Sequence, residues 1–171
     1  MESESTTVKF EANRLKTSQV KEAKGIAVRV VKDGRIGFAA AAYATESSDM
    51  TVMDKLVTNV LESATYGDEI PIVFPGPQDG LEVRTFDATI TELPIPRLVE
   101  IGQEILDLLL NVEADARIDV ELTRGIHHLS LRNQAGAEIT FKRSPLSLFF
   151  MINRVKGDDV LMMFDIMGTT I

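Results

Sequence analysis

The chain has 171 residues, 44% of them hydrophobic, 26% charged and 6% aromatic, a globular composition that suits one moderate domain and buries roughly 70% of its unfolded surface. It contains no cysteine, which excludes a disulfide framework, a thiol nucleophile and any thiolate metal site. Eighteen Lys+Arg against 26 Asp+Glu leave a net charge of -8, and because the basic residues are scattered, no nucleic-acid partner is expected.

The N-terminal "MESESTT" is acidic and polar, the reverse of a signal peptide, and residues 1–7 are expected to be disordered. Residues 8–21 alternate loosely and predict a hairpin or bent strand pair near a sheet edge. Gly25 then punctuates the chain, and "IAVRVV" follows with period-two alternation, Ile26, Val28 and Val30 on one face and Ala27, Arg29 and Val31 on the other. Asp33-Gly34 is a two-residue turn of the type that matches strand twist, so 25–44 predicts a β-hairpin with a type I′ turn. Its alanines suit a strand covered closely by another element.

A helix is predicted next. Met50, Met53, Leu56, Val57, Val60, Leu61 and Ala64 fall on one helical face, Ser48 or Asp49 can cap its start, and Gly67 suits its end. That methionine-bearing stripe is read as core packing rather than a cofactor groove. The proline-rich segment 70–80 holds at most a short edge strand, Pro71 to Phe74, and "LEVRTFDATI" (81–90) alternates as a further strand. A second helix spans 93–115, opened by Pro94 and Pro96. Leu98, Ile101, Ile105, Leu108, Leu109 and Val112 are its expected buried stripe, widened by Leu106 and Leu110.

The remainder predicts five strands, "RIDVELT", "HHLSLRN", "AEITFKR", "LSLFFMINRV" and "VLMMFDIM". Turn signals at Gly125, 134–136, Ser144-Pro145 and 157–159 separate them. "LSLFFMINRV" has the near-continuous apolar run of a central strand. The expected fold class is α+β: a two-layer sandwich, mostly antiparallel sheet with two principal helices, over a single domain of 1–171. An echo between "GIAVRV" (25–30) and "GAEITF" (136–141) suggests two related β-rich halves. No apolar window approaches about 18 residues, so no membrane helix is expected and the default location is the cytoplasm.

No stretch carries recognisable chemistry. His127 and His128 are the only histidines and point to opposite faces of a strand, one read as packed and one as solvated. There is no H-E-x-x-H, no G-x-S-x-G elbow and no calcium loop. "FPGPQDG" (74–80) lacks the lysine and helix of a phosphate loop. The acid pairs Asp158/Asp159, Asp68/Glu69 and Glu113/Asp115 read as solvated turn residues.

Three stretches, 8–42, 53–77 and 131–152, together resemble the N-terminal region of the TldD/PmbA family, whose members are grouped with metallopeptidases and labelled modulators of DNA gyrase. The family pattern is a polar strand pair, a glycine-started arginine-bearing strand, "dG-x-x-G-f-a", and a helix with A-x-x-G-D near its end. Gly25, Arg29, Gly34, Gly37, Phe38, Ala64, Gly67 and Asp68 match it in order, and Asn133, Gly136 and Ser144 match a later "N-x-x-G" followed by a strand and a small-polar turn. The resemblance covers roughly residues 8–155.

The resemblance implies an N-terminal α/β layer domain, followed in family members by a larger β-rich domain. There a catalytic subunit holds zinc through an H-E-x-x-x-H helix and a C-terminal cysteine, and cleaves unfolded peptides within a dimer. This chain stops at Ile171, before that helix, so the catalytic C-terminal domain is expected to be absent and no catalytic, cofactor-binding or metal residue carries over. The matching positions are structural, and zinc is expected only in a full-length catalytic member. The implied role is a substrate-chamber and dimerisation module of a TldD/PmbA-like zinc metallopeptidase, partnered by a like subunit and by peptide or unfolded protein. The alternative is a free-standing, non-catalytic binding or assembly module that regulates a partner protein.

Overall fold

Period-two alternation dominates the sequence, and strands dominate the fold. The computed structural model describes residues 1–43, 50–80 and 82–169. Chain order is β1 (Glu2–Glu11), β2 (Arg14–Lys32), β3 (Arg35–Tyr43), α1 (Met50–Tyr66), α2 (Ala88–Thr91), α3 (Ile95–Val112), β4 (Arg117–Arg132), β5 (Glu138–Arg143), β6 (Leu146–Lys156) and β7 (Asp159–Thr169). The strands neighbour one another in the order β3-β2-β1-β4-β6-β7, with β5 on β4. The architecture is α+β, with two principal helices, as the sequence predicts.

The chain, expected as a single domain, sorts into two compact units. The first comprises Met1–Ser3, Ala23–Leu81 and His128–Phe141, the second Glu4–Glu22, Glu82–His127 and Lys142–Ile171. In the first unit β2 and β3 form the expected hairpin, with Lys32 opposite Arg35. Asp33 and Gly34 both hold positive φ, 52° and 75°, the backbone of a type I′ turn. Helix α1 buries Leu56, Val60 and Ala64, one i, i+4 ridge, against β3. The backbones meet at Gly37, where a Cβ would strike the Val60 carbonyl oxygen and lie 2.6 Å from the Ala64 nitrogen, and at Gly67, where one would strike the Ile36 carbonyl oxygen. Arg35 Nη1 donates to the Gly67 carbonyl (2.9 Å) and Ile36 N to the Asp68 carbonyl (3.1 Å), pinning the end of α1 to the start of β3.

The second unit also lays one helix on strands. Helix α3 buries Leu98, Gly102 and Leu106, again an i, i+4 ridge, on Val8 and Phe10 of β1 and on Ile118, Val120 and Leu122 of β4. Asn13 closes the β1–β2 turn. Its Oδ1 accepts from Ile118 N (2.7 Å), its Nδ2 donates to the Ala116 carbonyl (2.9 Å), and its own N–H donates to the Ile118 carbonyl (3.0 Å). Buried Ser144 fastens the segment before α2: Asp87 N donates to Ser144 Oγ (2.7 Å) and Ser144 N to the Thr85 carbonyl (3.1 Å).

Several expectations need correction. Residues 2–7, expected to be disordered, form the first part of β1. Met1 and Gly25 exchange two hydrogen bonds of 2.9 Å, and Thr6 is fully buried. Gly25 and Gly125 do not end strands, since β2 and β4 run through them. Pro71 to Phe74 is not a strand, because Pro71 and Pro75 remove donors from any ladder and only an isolated bridge, Arg35 to Glu69, remains nearby. The predicted strand 81–90 gives way to α2, whose N-cap Asp87 accepts from Thr89 N (2.9 Å). On α1, Met53, Val57 and Leu61 of the expected core stripe are exposed; on α3, Leu108 and Val112 are exposed. The proposed cap at Ser48 or Asp49 lies outside the described residues.

Candidate functional site

Registry along β4, β6 and β7 shows what the second unit leaves uncovered. Leu148, Phe150 and Ile152 face the α3 core. Their neighbours face the other way, where the cross-strand rows are Glu121–Phe149–Ile166, Asp119–Met151–Phe164 and Arg117–Asn153–Met162. That helix-free face is charged along β4 and apolar along β6 and β7, with Phe164 63% and Ile166 67% exposed. A hollow of about 450 Å³ opens on it between Asp115, Asp119, Met151 and Asn153. Among the described residues β7 has one hydrogen-bonded neighbour, which leaves its outer edge unpaired by them, and Leu161, Met163 and Met167 are exposed on its second face too. Apolar surface rimmed by charge beside an open strand edge is the physical signature of a docking surface.

Of the positions that carry the family pattern, the nine Gly25, Arg29, Gly34, Gly37, Phe38, Gly67, Asp68, Asn133 and Gly136 fall in the first unit together with Ala64, and Ser144 falls in the second. Gly37, Gly67 and Asp68 lie where α1 meets β3, and Gly34 forms the hairpin turn. Gly25 pairs with Met1, and Gly136 (φ 89°) sits against the Pro77 ring. Three of the nine, Arg29, Phe38 and Asn133, line one cavity of about 650 Å³, together with Phe74, Pro75 and Gln134. Arg29 and Phe38 are cross-strand partners and so share a face; Gly37, next to Phe38, faces α1, which puts the cavity on the side away from that helix. Asn133 braces its wall, accepting from Ala135 N (2.9 Å) and Ala137 N (3.1 Å) while donating to the Pro75 carbonyl (2.8 Å). Sequence reasoning missed Phe74 and Gln134, which lie far from Arg29 in the chain.

Among the described residues no three His, Asp or Glu side chains are placed to share a metal ion. On β4, His127 is half-buried and His128 exposed. Burial holds the His127 ring below its ordinary pKa, and the nearby Arg143 charge adds to the effect. Among the described residues no helix is long and apolar enough to cross a membrane.

Comparison with known proteins places this fold. Residues 1–64 match the family model for the PmbA/TldA metallopeptidase domain 1. No curated protein matches the sequence. Among solved structures, TldE from Thermococcus kodakarensis is 17% identical with a TM-score of 0.74. A candidate modulator of DNA gyrase from Bacteroides thetaiotaomicron is 16% identical with a TM-score of 0.80, and one from Thermotoga maritima 13% identical with 0.67. Each alignment covers 99% of this chain but only 38 or 39% of the other. The chain therefore resembles the N-terminal region of the TldD/PmbA family, in sequence over residues 1–64 and in fold over nearly its whole length.

Proposed function

We propose that the chain is the substrate-chamber and docking module of a TldD/PmbA-like zinc metallopeptidase that acts in the cytoplasm, with the reactive centre outside these 171 residues. Its helix-free β6–β7 face packs against protein surface of that assembly, within the same subunit or across a dimer contact. The free β7 edge offers an extended, unfolded peptide a strand to pair with, the peptide's backbone supplying the hydrogen bonds. The observation that carries this reading is the apolar face of β7, whose Met162, Phe164 and Ile166 stand in water in a chain that spans less than two fifths of the three solved structures compared above.

The test is a zinc-dependent assay with an unfolded peptide, run on the chain alone and on the longest form available. The expected result is no hydrolysis by the chain alone and zinc-dependent hydrolysis by the longer form. Hydrolysis by the 171 residues alone, or by neither form, overturns the proposal.

A further inference from the structure

The cavity of the first unit has the size and lining of a small-ligand site. At about 650 Å³ it falls inside the range of roughly 300–1,000 Å³ over which ligand pockets occur. Its walls are mostly apolar, with Phe38, Phe74 and Pro75 as the large surfaces, and Phe38 is 55% exposed.

Two guanidinium groups reach it, and they differ. Arg132 is committed: Nε and Nη2 both donate to Glu138 Oε1, at 3.0 and 2.7 Å. Arg29 has no hydrogen-bond or ion-pair partner among the described residues. A guanidinium presents donors in a rigid fork that matches a carboxylate two-to-two. Arg29 is exposed, so its fork is hydrated yet unpaired beside phenyl rings, and a carboxylate can take the place of that water. Asn133 does not compete for it, because both ends of its amide are engaged in bracing the wall.

From this we infer that the cavity binds a monocarboxylate with an apolar or aromatic body, its carboxylate paired with Arg29 and its body lying on Phe38 and Phe74. A phosphate suits the site less well. Only one unpaired cation is present, and the chain's net charge of -8 disfavours a dianion. The ligand is a free aromatic acid or the C-terminal residue of a peptide, since both present the same group. The inference needs only the first unit and does not depend on the peptidase proposal.

Titration calorimetry on the 171-residue chain tests it, with N-acetyl-phenylalanine, phenylacetate and the neutral N-acetyl-phenylalaninamide as probes. The acid N-acetyl-phenylalanine is expected to bind at least about tenfold more tightly than its amide. Arg29→Gln should erase that preference by lowering the acid's affinity to about that of the amide; Arg29→Lys should keep part of it. Phe38→Ala should weaken acid and amide alike. Both positions are exposed, and circular dichroism controls for folding. Phenylacetate binding as well as the N-acetyl acid identifies a free acid as sufficient; binding of the N-acetyl acid alone identifies a peptide C-terminus. No binding of either acid, equal binding of acid and amide, or a preference that survives Arg29→Gln overturns the inference.

Discussion

Gly67 and Gly37 both lie where α1 meets β3, and Gly37 takes the helix backbone directly against the strand. Any side chain there drives into the backbone of α1 at Val60 and Ala64, and neither backbone can yield without lifting the helix from β3. Gly37→Ala should therefore destabilise the chain by about 1–3 kcal/mol, the usual cost of overpacking, read as a lower urea midpoint. Gly34→Ala differs in kind: nothing lies within 4 Å of a Cβ there, and only the positive φ opposes it, so the loss should be smaller. His127 makes a pH-dependent contribution. Its ring resists protonation in the folded state because burial and Arg143 disfavour the charge. The unfolded chain thus takes up more protons as pH falls through about 6.5, and stability drops from there towards the lower folded value. His127→Gln should flatten that part of the pH–stability curve, and an unchanged slope would refute it.

At the scale of elements, the two long helices set a common lesson. Each buries a narrow i, i+4 ridge that includes one small residue, Leu56–Val60–Ala64 on α1 and Leu98–Gly102–Leu106 on α3. Hydrophobic spacing alone could locate both helices but not the ridge, because "ILDLLL" is apolar over most of the turn. Leu106→Ala should cost about 2–5 kcal/mol, while Leu108→Ala, at a position 65% exposed, should cost little; equal losses would mean that α3 is turned. Strand ends were legible where the chemistry is local, as at Asp33-Gly34 and the 157–158 turn. They were not legible at Gly25 and Gly125. In both places a backbone carbonyl approaches within 3.3 Å of a would-be Cβ, from Ala41 and from Glu4, so each glycine permits close contact inside a strand instead of ending it. Alternation across 81–90 likewise misled, because Asp87 and Ser144 capture that backbone for a helix start.

At the scale of the whole molecule, the family pattern and the candidate surfaces were visible to different degrees. Gly25 through Gly136 could be aligned by eye, because their order and spacing survive in one chain. The cavity they help to line could not, since it forms only when segments near 29, 74 and 134 meet. The exposed β6–β7 face was half legible: "VLMMFDIM" lacks alternation, as a strand does when both faces are to be covered. If the β6–β7 face is built to be covered by protein, exposing it should make the chain associate with itself. Phe164→Lys with Ile166→Lys places charge at its centre at little cost to folding, because both side chains already stand in water. The most direct measurement is sedimentation velocity of the chain and of this double variant across a concentration series. Concentration-dependent association of the wild type, lost in a folded double variant, is the predicted result; a wild type that stays monomeric throughout would contradict the account.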